Sequence, residues 1–153
     1  MDPLYQIIAT TGKFDPLWPR DLLFLEYARS LGDELVVLLY NDYRISHHNG
    51  ALSIVGKKEY TRIHELEALP YVDVVILTQH GHDFRYAPFT KNIKELDFTV
   101  GYELEQLKPR LFITNSRETM TLNKSVCDEL NIKMKFSTMG EYEEWHEKRQ
   151  TQK

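Results

Sequence analysis

The sequence predicts an α/β protein with a parallel sheet of about five strands and helices on both faces. Two patterns carry that expectation. Short apolar runs alternate with stretches whose apolar residues recur at helical spacing, and Gly, Pro or Asn-Asp pairs punctuate the boundaries. The first run, Leu4 to Ala9, reads as a buried strand, and Thr10 to Pro16 as the turn after it. Leu22, Leu25, Ala28 and Leu31 mark the first helix, which begins near Arg20 and stops at Gly32.

Leu35 to Tyr40 is continuously apolar, as a parallel strand covered on both faces must be. A polar loop is expected through His47-His48-Asn49-Gly50. A second helix spans Lys57 to Ala68, ended by Pro70. Val72 to Leu77 gives the third strand. Between Thr78 and Pro109 the rings of Phe84, Tyr86 and Phe89 suggest a packed excursion, with Ile93 to Leu107 helical in part. Leu111 to Thr114 is the fourth strand. Leu122, Val126 and Leu130 repeat every fourth residue, Asn131 closes that helix, and Ile132 to Phe136 alternates as the fifth strand. In a sheet of this kind ligands bind beyond the carboxyl ends of the strands, where the strand order reverses.

The 153 residues are read as one domain over 1–140 and a polar, solvated helix or tail over 141–153. Hydrophobic content of 42%, charged content of 27% and a net charge of −4 are ordinary for a globular chain, and give no footprint for nucleic acid or an anionic membrane. No apolar stretch is long enough for a membrane span, and Met1-Asp2-Pro3 does not open a secretory signal, so an intracellular, soluble, cytoplasmic setting is the default. The single cysteine, Cys127, falls in a predicted helix and reads as a packed thiol. His47-His48 and His80-Gly81-His82-Asp83 lack regular ligand spacing, so no resident metal site is expected.

The most informative segment is Gly12-Lys13-Phe14-Asp15-Pro16-Leu17-Trp18-Pro19-Arg20-Asp21, at the first strand-to-helix turn. Backbone N–H groups at such a turn suit phosphate. The segment resembles the opening signature of the cytidylyltransferase-like nucleotidyltransferases, Gly-x-Phe-Asp-x-x followed by His-x-Gly-His. Here the tetrad reads Trp18-Pro19-Arg20-Asp21. Further resemblance lies in Leu31-Gly32-Asp33 before the second strand, in Asn41-Asp42 after it, and in Arg62 nine residues before Tyr71-Val72-Asp73. It runs from about Ile7 to Leu77 and is nearest to the small glycerol-3-phosphate or ethanolamine-phosphate cytidylyltransferases.

The resemblance implies a Rossmann-like fold, a nucleoside triphosphate or phosphorylated small molecule as ligand, and a homodimer. It implies nucleotide contacts from Thr11, Gly12, Lys13, Phe14, Asp15, Asp42, Arg62, Asn115 and Arg117. The family's two histidines stabilise charge on phosphate oxygens. Losing one such donor costs about 2–4 kcal/mol of transition-state stabilisation. Lys13 and Arg20 are the available replacements, and Mg²⁺ is expected only in an active enzyme, with Asp15 or Asp21 near it. The late Ser/Thr-rich motif of the family has its nearest remnant in Ser137-Thr138-Met139.

Three functional readings follow. The leading one is a divergent, catalytically impaired member that binds a nucleotide or phosphorylated ligand, or serves as an assembly subunit. A working cytidylyl- or adenylyltransferase is the second, and a pure protein-interaction module, with the Phe84-to-Phe89 rings meeting a partner, is the third. Each residue also has a plainer role available: Asp15 as a helix cap, Arg62 paired with Glu59 or Glu65, Arg20 with Asp21, and Trp18 simply packed or meeting a partner.

Overall fold

The computed structural model describes residues 5–46, 55–78 and 99–151. In chain order the elements are β1 (Ile7–Gly12), α1 (Pro19–Arg29), β2 (Glu34–Leu39), α2 (Asp42–Ser46), α3 (Glu59–Glu67) and β3 (Val74–Leu77). After these come α4 (Gly101–Leu107), β4 (Leu111–Thr114), α5 (Arg117–Leu130), β5 (Lys133–Phe136) and α6 (Met139–Thr151). The strands form one five-stranded sheet in the order β3-β2-β1-β4-β5, and every pairing is parallel. The chain builds outward from β1 on one side, then crosses to β4 and builds outward on the other. The reversal between β1 and β4 is the topological switch point.

Alternation along the strands sends side chains to two apolar layers, as a Rossmann-like sheet requires. Ile8, Leu35, Val37, Leu39 and Ile113 pack under α1, α3 and α6, where Phe24, Leu25, Ala28, Leu66 and Tyr142 meet them. On the other face Ala9, Val36, Leu38 and Phe112 pack against Ile45 of α2, Leu104 of α4, and Val126 and Cys127 of α5. Gly32 passes so close to β1 that a Cβ there would lie 2.6 Å from Ile8 Cγ1 and 2.9 Å from the Gln6 carbonyl. Only glycine fits the turn from α1 into β2. Asn131 closes α5 as expected, in the left-handed region at φ 57.

Some boundaries differ from the sequence expectation for definable reasons. β1 runs to Gly12 and not Ala9, because Thr10 and Thr11 are buried strand residues; Thr11 Oγ1 donates to the Leu38 carbonyl at 2.6 Å. β3 begins at Val74, since Val72 N–H still belongs to the turn and donates to the Leu69 carbonyl at 3.2 Å. The five-residue α2 is unforeseen, being too short to show a period. The terminal helix is real, but one side of it is buried and not solvated. Tyr142 is 2% exposed and meets Phe24 edge-on with centroids 5.7 Å apart, and Trp145 meets Tyr27 at 5.5 Å. His47-His48, His80 to Asp83, the Phe84-to-Phe89 rings and the helical part expected from Ile93 to residue 98 lie outside the described residues.

Among the described residues no helix is long and apolar enough to cross a membrane, and no group of three or more His, Cys, Asp or Glu is placed to hold a metal.

Candidate functional site

At the switch point, beyond the carboxyl ends of β1 and β4, lies a cleft of about 330 Å³. β1 and its following turn supply Thr11, Gly12, Lys13 and Phe14; β2 leads to Tyr40; and the β4–α5 junction supplies Asn115, Ser116, Glu118 and Thr119. Asp21, from the first turn of α1, completes the lining. A second cleft of about 470 Å³ shares Asp21 and Asn115 with the first and extends outward along Arg20, Arg117 and Phe136 to Ser137 and Thr138. The two form an inner and an outer compartment with Asp21 at their junction.

Local sequence explains the shape. Phe14 takes the left-handed region at φ 47, and its ring covers Gly12, where a Cβ would lie 3.1 Å from the ring edge. Ser116 is the N-cap of α5: its hydroxyl accepts from Thr119 N–H at 3.2 Å, while its own N–H donates to Thr114 Oγ1 at 3.0 Å. The start of a 14-residue helix thus faces the inner compartment with its dipole favouring negative charge. Tyr40 is a buried part of the lining; burial pushes its phenol pKa up, against the opposing effects of Arg44 and of hydrogen bonding with Thr119 and Thr11.

Trp18 is the N-cap of α1 with Pro19 in the first turn, and its side chain is 53% exposed. An indole has no oxygen with which to cap a helix. Asp21 compensates, accepting from Trp18 N–H at 2.8 Å. Burial pushes the Asp21 carboxyl pKa up, with the Trp18 N–H and the charge of Arg20 pulling the other way. Arg20 is exposed and lines the outer compartment. The Arg117 guanidinium sits 4.6 Å from the centre of the Phe136 ring. Lys13 makes no ion pair or side-chain hydrogen bond with any described residue.

Three expected contacts do not line either compartment. Arg62 is fully buried and has four donors engaged: Nε to the Lys57 carbonyl, one terminal nitrogen to the Lys13 and Tyr40 carbonyls, the other to Asp42 Oδ1. It pairs with neither Glu59 nor Glu65. Asp42 is accordingly the Arg62 counter-ion at 2.8 Å, at the start of α2. Asp15 caps no helix; its two oxygens accept from Gly56 N–H and Lys57 N–H, each at 2.7 Å. These groups shape the loops around the cleft from behind. Conversely, sequence reasoning passed over Tyr40, Glu118 and Thr119, and took Ser116 only as part of Asn115-Ser116-Arg117 after the fourth strand. A strand end, and a serine just before a helical period, were the available signals.

No family model matches the chain. An FAD synthase of Methanocella paludicola is 30% identical over 127 residues, covering 79% of this chain and 84% of its own length. One from Methanoculleus marisnigri is 32% identical over 105 residues, 68% of each. The chain belongs to the FAD synthase family. That family is cytidylyltransferase-like, as the motifs suggest. For an FAD synthase of Methanothrix thermoacetophila, identity is 39% over 70 residues, and the match spans just under half of the relative, 46%.

Solved structures agree on the fold. The lipopolysaccharide core biosynthesis protein of Thermoplasma volcanium superposes with a TM-score of 0.60 at 24% identity, over 86% of this chain and 93% of that one. Pantothenate synthetase of Thermus thermophilus gives 0.59 at 11%, over 89% and 56%. A pantoate-β-alanine ligase of Francisella tularensis, complexed with β,γ-ATP and β-alanine, gives 0.55 at 14%, over 90% and 60%.

Proposed function

We propose that this chain is a divergent FAD-synthase-family protein that holds an adenine-bearing nucleotide in the switch-point cleft without efficient nucleotidyl transfer. The observation that carries the reading is the position of Asp21. It stands where the signature has its second histidine, and it lines both compartments. A carboxylate there repels the phosphate charge that the histidine would stabilise. Trp18, in place of the first histidine, offers one neutral donor on a largely exposed ring.

The binding half of the reading rests on what remains. Lys13 is a cation on the inner lining that no described residue engages, Asn115 and Ser116 present polar groups at a helix N-terminus, and Arg20 and Arg117 border the outer compartment. The adenine preference is supported by the relatives, named for FAD synthesis. Mg²⁺ accompanying a triphosphate would find hard oxygen donors in Asp21 and Glu118, not in Asp15.

The test is thermal unfolding across ATP, CTP, GTP, UTP and FAD, each with and without Mg²⁺, followed by a pyrophosphate-release assay. A ligand that binds the folded state raises the melting temperature by mass action. A rise with ATP or FAD and no pyrophosphate release is the expected result. Release of pyrophosphate by the wild type would instead establish a working transferase. No shift with any nucleotide at millimolar concentration would overturn nucleotide binding and favour an interaction module. The combined change Trp18→His, Arg20→Gly and Asp21→His is expected to raise pyrophosphate release above the wild type.

A further inference from the structure

At the opposite end of the sheet, where β1, β4 and β5 begin, lies a chemically different concavity. The parallel register pairs Ile8 with Leu111, Leu111 with Lys133 and Ile113 with Lys135. Residues paired in register share a face of the sheet. Ile8, Leu111 and Ile113 belong to the layer under α1, so β5 continues that face to the sheet edge with two lysines. A cleft of about 380 Å³ occupies the place. Ile8, Leu111, Tyr27 and Leu31 form its apolar lining, and Arg110, Lys133 and Lys135 its cationic part.

Among the described residues no acidic side chain lines this cleft, in a chain whose net charge is −4. Two carboxylates border it but are engaged: Glu141 lies 3.6 Å from Lys135, and Asp33 accepts from Gln6 N–H at 2.7 Å. Arg110 and Lys133 make no ion pair or side-chain hydrogen bond with any described residue. Lysines on an edge strand ordinarily discourage pairing with another sheet. That accounts for Lys133 and Lys135, but not for Arg110, which precedes β4, nor for the apolar hollow between them.

We propose that this cleft binds an amphipathic organic anion. Its apolar body lies along the half-buried Tyr27 and Leu31 and the edge of Leu111, with Ile8 beneath, and its phosphate, sulfonate or carboxylate lies among Arg110, Lys133 and Lys135. The volume falls in the range of small-molecule sites, about 300–1,000 Å³, and the mix of apolar lining and few charged groups is what such sites use. The site lies at the amino ends of the strands and is independent of the nucleotide reading.

The test titrates the full chain with 1-anilinonaphthalene-8-sulfonate and with N-phenyl-1-naphthylamine, which has the same rings without the sulfonate. The sulfonate is expected to bind at one site and at least about tenfold more tightly than the neutral probe, the scale of one charge-assisted contact. The double variant Arg110→Glu, Lys133→Glu removes exposed side chains only; it is expected to weaken the sulfonate by about tenfold or more while unfolding at nearly the wild-type temperature. Lys13→Ala, in the other cleft, should leave the affinity unchanged. Raising salt on the wild type should weaken the sulfonate alone. Equal affinity for the two probes, or unchanged sulfonate affinity in the double variant, overturns the proposal.

Discussion

The Arg62 guanidinium donates to the backbone carbonyl of Lys13 at 2.9 Å, across 49 residues of sequence. The same nitrogen donates to the Tyr40 carbonyl at 2.7 Å, so one buried side chain fixes the turn after β1 to the end of β2. The backbone that carries Lys13 into the cleft is therefore held from α3. Replacing Arg62 by Ala leaves those carbonyls and the Asp42 carboxylate without their donors. Breaking a buried pair in this way costs about 3–5 kcal/mol, a large share of the 5–15 kcal/mol typical of a domain. Arg62→Lys keeps the charge but not the planar fork, and should recover only part of the loss. Urea unfolding of both variants is the check; a loss under about 1 kcal/mol for Arg62→Ala would show that the clamp is dispensable.

Asp21 carries a pH prediction whose sign follows from burial. Its folded carboxyl pKa is raised above the ordinary 3.8, chiefly by desolvation. A carboxyl with a raised folded pKa binds its proton more tightly when folded, so its contribution to stability is full below the unfolded value and is lost as pH rises through the folded one. Asp21→Asn keeps an oxygen for Trp18 N–H and escapes that loss. The variant should gain stability over the wild type near neutral pH, and the gain should shrink as pH falls through the acid range. Melting temperatures at several pH values test this. The same substitution removes negative charge from both compartments and should tighten binding of any phosphorylated ligand.

The parts of the molecule that sequence made legible are those set by local pattern. β4 has the expected bounds because the short run Leu111-Phe112-Ile113-Thr114, three apolar residues and a β-branched threonine, admits little else between Arg110 and Asn115, and Asn131 ends α5 because few residues take a left-handed cap. The segment Thr11 to Phe14 and Asn115 line the switch-point cleft, a placement that follows from element order alone because strand ends at a switch point are read from it. The structural roles of Arg62 and Asp15 were not legible, for the opposite reason. Apart from the Lys57 carbonyl, which Arg62 Nε reaches within its own segment, their partners lie 20 to 49 residues away, and nothing in the neighbouring sequence distinguishes a buried clamp from a ligand-binding charge. The terminal helix misled because Tyr142, Trp145 and Arg149 form a narrow stripe within a strongly polar segment.

Cys127 should be inert in the folded protein. It is fully buried among Ala9-side core residues, and burial, assisted by Asp128, pushes its thiol pKa up to about 12. Almost no thiolate exists near pH 8, and the thiolate is the reactive form. A chromogenic disulfide reagent should release almost no colour from native protein at pH 8 and one equivalent after addition of urea. Rapid reaction in the native state would mean that α5 opens far more readily than its packing implies.

The last helix should contribute through a single ring. Tyr142 is 2% exposed, packs edge-on against Phe24 and also meets Tyr27, and belongs to the core layer beneath α1. Tyr142→Ala removes that contact area and leaves a hollow between α1 and the sheet, at a cost of about 3–5 kcal/mol. Arg149 also joins this helix to α1, through Glu26 at 3.1 Å and by stacking 4.7 Å over Trp145, but both groups of the ion pair are partly exposed. Arg149→Ala should therefore cost less than about 1 kcal/mol. Urea unfolding separates the two: a large loss for Tyr142→Ala beside a small one for Arg149→Ala makes α6 part of the cooperative fold. Equal small losses would make it an appendage whose buried ring contributes nothing to the domain.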